Sequence, residues 1–102
     1  MMMAFDSSQT PPSRLDEGIV SDVRAALRAY IADSAQPAPL QRALVALSGE
    51  ARAKAVLPEH VLLVLKDMWH GMPEVRAMQD GSEQVRMLQR VVSMCIREYY
   101  SA

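Results

Sequence analysis

The sequence predicts an all-α single domain, a small bundle of four main helices with one short extra helical turn before the last. Three observations predict it. Apolar residues recur at helical spacing, with no sustained alternation of the kind a half-buried strand needs. Proline or an Asp-Gly pair punctuates the chain at Gln36-Pro37-Ala38-Pro39, Pro58, Pro73 and Asp80-Gly81. Half of the 102 residues are hydrophobic and 23% are charged, a globular balance sufficient for one core.

Residues 1–12 read as an extended N-terminal tail and 13–102 as the helical domain. Met1-Met2-Met3-Ala4-Phe5 precedes a polar stretch ending in Pro11-Pro12. Five apolar residues, with no Lys or Arg before Arg14, do not make an export signal, so a cytoplasmic location is expected. The same five residues are a candidate for docking on a groove of this or another chain.

The first helix is predicted from Arg14 to Ser34, with Ser13 as N-cap and Asp16 in the capping-box position. Leu15, Ile19, Val20, Val23, Ala26, Leu27, Tyr30 and Ile31 fall within an arc of about 160°. Glu17, Ser21, Arg24 and Arg28 lie opposite. The second helix starts near Pro39 and runs to about Val56, with Leu40, Leu44, Leu47, Ala51 and Ala55 on one face. Gly49 falls inside it and costs roughly 1 kcal/mol, which admits two short helices meeting near Ser48-Gly49.

Pro58 opens the third helix, which runs to His70 with Gly71 as its stop. Val61 to Leu65 is apolar at every position, but no other strand exists for such a run to pair with. Val61, Leu62, Leu65, Met68, Trp69 and Met72 form the inward side; Glu59, Lys66, Asp67 and His70 face outward. Residues 73–78 fit one short turn of helix. Ser82 is the predicted cap of the last helix, which runs to Tyr100. There Val85, Leu88, Val92, Cys95 and Tyr99 are spaced 3, 4, 3, 4 and are predicted to face the core. The third helix is expected at the centre, with the first and last packed against it.

Several function classes are excluded. Eleven Lys and Arg oppose twelve Asp and Glu, so no global charge draws the chain to nucleic acid or acidic lipid. No apolar run approaches the roughly 18 residues of a membrane span. The single cysteine permits neither an internal disulfide nor a Cys-rich zinc module. His60 and His70 stand about 15 Å apart along one helix and cannot share an ion. Gly18, Gly49, Gly71 and Gly81 are too scattered for a phosphate loop. Cys95 lies among aliphatic residues rather than at an activating helix N-terminus. No catalytic, cofactor or metal site is expected, and the chain is read as a non-enzyme.

Two resemblances are worth testing against residues. Ala51-Arg52-Ala53-Lys54-Ala55-Val56-Leu57-Pro58-Glu59-His60-Val61 resembles the helix-turn-helix DNA-binding motif in spacing, with Ala51, Ala55, Val61 and Val64 at its inward places. Ala55 stands where that motif usually has its turn glycine. The reading helix would present Glu59, His60, Leu63 and Asp67, with Lys66 as its only cation, a poor reader of bases and phosphates. The size and helix number are similar to histidine-phosphotransfer domains. That family places Lys three and Gly four residues after its histidine. His60 is followed there by Leu63 and Val64, and His70 by Pro73 and Glu74, so this fit is the poorest.

The leading expectation is therefore a protein–protein interaction module, a small regulator or adaptor that binds another protein or itself as a homodimer. The candidate contact residues are few. Leu63 falls in the middle of the polar side of the third helix, with Val64 on its edge and His70 nearby. Such an apolar anchor ringed by charge is the usual form of an interface hot spot. Arg86, Arg90 and Arg97 form a row on the last helix, suited to an acidic partner or, second, a phosphate backbone. Met87 and Met94 lie on the same helix with Val91 between them, away from the centre of the apolar stripe, and suit either core packing or an adaptable groove.

Overall fold

The computed structural model describes residues 15–101. Among them are five helices and no strand: α1 (Glu17–Ala32), α2 (Ala38–Ala53), α3 (Pro58–Gly71), α4 (Pro73–Arg76) and α5 (Gly81–Tyr100). The all-α class and the four main helices with one short extra turn are as the sequence predicts. No described helix is long and apolar enough to cross a membrane. The tail of residues 1–12, and the expected cap and start at Ser13 and Arg14, lie outside the described residues.

Local chemistry sets each boundary. The Asp16 carboxylate accepts from the Ile19 N–H at 3.0 Å, so Asp16 is itself the N-cap of α1 rather than a capping-box partner. Pro39 sits in the first turn of α2, where its missing N–H costs nothing. This helix is unbroken through Gly49 and ends at Ala53, three residues before the expected limit. It ends in a Schellman turn: the Val56 N–H reaches the Ala51 carbonyl at 2.8 Å and the Ala55 N–H reaches Arg52 at 3.2 Å. Ala55 therefore takes the left-handed conformation, φ 58°, and leaves the helix face on which the sequence placed it. Gly71 does not stop α3 by a left-handed turn; Pro73 holds Met72 extended and ends it. Asp80, two residues before the expected Ser82, caps α5 by accepting from the N–H groups of Ser82 and Glu83.

The centre of the bundle is α2 rather than α3. It packs along both α1 and α5, and α3 reaches α5 more lightly. The buried face of α2, Leu40, Leu44, Leu47, Ser48 and Ala51, ends in small side chains that let its neighbours approach closely. Val23, Leu27 and Tyr30 of α1 and Val61, Leu65 and Trp69 of α3 complete the expected part of the core.

The inward face of α5 differs from the expected one. Met87, Val91, Met94 and Cys95 are buried. Val85, expected in the core, is 56% exposed, and Leu88, Val92 and Tyr99 are only partly covered. The helix is turned by about 90° relative to the 3, 4, 3, 4 stripe. Its apolar arc spans about 200°, and the rest of the bundle covers one side of that arc.

Candidate functional site

A furrow runs between α1 and α5. At the end nearer the C-terminus of α5 it opens into a groove of about 420 Å³ lined by Tyr30, Met94, Ser93, Gln89 and Arg86, Arg90 and Arg97. The two helices supply different parts. Tyr30 is the last buried residue of α1, and its ring forms an apolar wall with the edge of Met94. The arginines come from α5, spaced four and seven residues apart. They recur on one side at about 6 Å and 10 Å along the axis.

The electrostatics of this groove are one-sided. The described ion pairs are Arg28 with Glu74 at 2.8 Å and Lys54 with Glu50 at 2.7 Å. Neither involves Arg86, Arg90 or Arg97, and no carboxylate lines the groove among the described residues. Three cations in about 16 Å of helix, with no described ion pair among them and Glu83 one turn ahead of Arg86, make a local positive field that the near-neutral net charge conceals.

A separate opening of about 410 Å³ lies nearer the start of α5, between Ile31, Met78, Met87, Asp80 and Glu83. Met87 and Met94 are thus both core residues, and each also floors one of these openings. A third, smaller groove of about 240 Å³ lies between Arg24 and Arg28 on one side and Asp67, Met68 and Gly71 on the other. In it Arg28 is already held by Glu74. The Glu74 carboxyl lies below its usual range, chiefly through its own backbone N–H and then through Arg28, against an opposing effect of burial.

The remaining candidates do not converge on this groove. Leu63 is 57% exposed on the outer side of α3, and Val64 is partly covered. His70 is exposed at the other end of that helix, its carbonyl accepting from Arg76 at 3.4 Å. No group of three or more His, Cys, Asp or Glu fit to hold a metal exists among the described residues. Cys95 is buried and its thiol is pushed up to about 11 by that burial, with the Ser48 hydroxyl opposing weakly. Ser48 makes no hydrogen bond of ordinary geometry there, so its approach to the sulfur is a weak contact only. The part of the groove that sequence reasoning missed is Tyr30. Its place in the inward arc of α1 was legible, but its meeting with Met94 and Arg90 depends on how α1 and α5 pack. No protein family, curated protein or solved structure matches the chain, so its functional reading rests on this groove alone.

Proposed function

We propose that the protein is a non-enzymatic interaction module, a small regulator or adaptor that docks an acidic segment of another protein in the furrow between α1 and α5. The observation that carries this reading is the convergence of Arg86, Arg90 and Arg97 on a groove walled by Tyr30 and Met94. Arginine forks match carboxylates two hydrogen bonds at a time. The apolar wall favours a segment that also inserts one aliphatic or aromatic side chain. Magnitudes favour transient binding: three exposed ion pairs contribute about 0.2–1 kcal/mol each, and one inserted apolar side chain about 1.5–3 kcal/mol.

DNA binding is the second reading. The Schellman turn that joins α2 to α3, with Ala55 in the left-handed conformation, favours it. Against it stands the outer side of α3, where Glu59, His60, Leu63 and Asp67 outnumber one lysine.

A labelled synthetic helical peptide with Glu at three positions spaced four and seven residues apart, and Leu between the last two, separates the readings by fluorescence anisotropy. Weak binding, with a dissociation constant on the order of 0.1–10 mM, that Arg90→Glu weakens severalfold and Lys66→Glu leaves unchanged, is the expected result. Equal binding by the wild type and Arg90→Glu would overturn the reading. Tighter, steeply salt-dependent binding of a 20-base-pair duplex would replace it with the second.

A further inference from the structure

Six large hydrophobic side chains are notably exposed among the described residues, and four of them fall on one continuous strip. Val85, Ile96 and Tyr100, at 56%, 41% and 67%, line the outer edge of the apolar arc of α5. Val92, Leu88 and Tyr99 lie beside them, partly covered. Leu57, 56% exposed, joins the far end: the Tyr99 hydroxyl donates to the carbonyl of the preceding residue, Val56, at 2.8 Å. Tyr100 packs edge-on against Tyr99 with ring centres 5.2 Å apart. Over an arc of about 160°, α5 carries no charged residue from Gly81 to Tyr100.

We propose that this strip is a self-association surface, closed by the same strip of a second copy in an antiparallel, two-fold pair. Three properties select a copy as the occupant. The strip contains the heptad spacing Val85, Leu88, Val92, Tyr99, which a partner helix needs for interlocking side chains and which an identical helix supplies. Antiparallel pairing closes the assembly at two chains and sets opposite helix dipoles side by side. The size also fits. A strip of about 22 Å by 10 Å, with its rims, buries roughly 1,000 Å² over both copies, the low end of specific interfaces. An interface at that end of the range is expected to be weak and to form only at high protein concentration. The arginine side of α5 cannot serve the same end, because Arg90 of two antiparallel copies would meet. It lies about 130° away around the helix and stays open in the pair. This inference stands apart from the groove reading and does not depend on it.

Sedimentation equilibrium of the full chain from 1 µM to 1 mM tests it, with circular dichroism as a check on folding. The wild type is expected to pass from monomer to dimer across that range. Ile96→Glu and Val85→Glu are each expected to remain folded and to raise the dissociation constant at least tenfold, while Leu63→Glu leaves it unchanged. A wild type that stays monomeric at 1 mM would overturn the proposal. So would a dimer that Leu63→Glu breaks and the two strip variants do not. If both strip variants unfold, the strip is core and the proposal fails.

Discussion

At the scale of single residues, the thiol and hydroxyl at the meeting of α2 and α5 show what burial does to reactivity. Burial raises the Cys95 thiol from an ordinary 9.0 to about 11, against an opposing effect of the Ser48 hydroxyl. At neutral pH it is therefore fully protonated and shielded. A thiol reagent is expected to label it slowly in the native state and rapidly after denaturant unfolding. The sign of the linkage follows from the raised value. The unfolded chain loses this proton first, so the contribution to stability is complete below pH 9 and falls away as pH rises toward 11. Cys95→Ala should lack that component in an alkaline denaturation series. Rapid labelling of native protein at pH 7 would contradict the burial.

At the scale of elements, two positions in α2 and its turn carry opposite expectations. A Cβ added at Gly49 would meet nothing within 4 Å, and the residue sits mid-helix. Gly49→Ala is expected to stabilise by about 0.5–1 kcal/mol. Ala55 holds φ 58°, a conformation that disfavours every residue with a Cβ. Ala55→Gly is expected to stabilise by about 1 kcal/mol, through relief of that strain. Thermal denaturation reads both, and a loss of stability at either site would show the local geometry to be different.

Element boundaries were largely legible because the residues that set them act locally: Pro39 and Pro58 open helices, Pro73 ends one, and aspartates cap two. The face of α5 was not legible. Its apolar arc extends from Met94 and Met87 around to Ile96, wider than any single neighbour covers. A heptad stripe drawn through its middle says nothing about which edge is buried. For the candidate site, the arginine row could be read from spacing, whereas its wall could not, since Tyr30 lies more than fifty residues away from the row.

At the scale of the whole molecule, the body measures 49 × 31 × 20 Å. Twenty ångströms is about two helix diameters, so α5 is covered on one side only and must show part of its apolar arc. So thin a body depends on few buried contacts. Leu65 is fully buried against Trp69 and the rest of the core, and Leu65→Ala is expected to cost about 2–5 kcal/mol, a large share of a typical domain's 5–15 kcal/mol. Leu88, only partly covered, should cost less than half as much, by urea denaturation. A loss below 1 kcal/mol at Leu65 would place the core elsewhere.

The last turns of α2 hold two distant parts of the chain at once. The Glu50 carboxylate accepts the Asp16 N–H at 2.7 Å, ahead of α1. Two residues on, the Arg52 guanidinium donates to the carbonyls of Glu98 and Tyr99, at 3.1 Å and 2.6 Å, and closes the end of α5. Helix ends ordinarily fray one by one, each amide exchanging with solvent on its own timescale. Here the entry to α1 and the exit from α5 share one anchorage. When α2 unwinds from Glu50 onward, both are released together, and the opening spreads as a single cooperative event rather than as two independent ones.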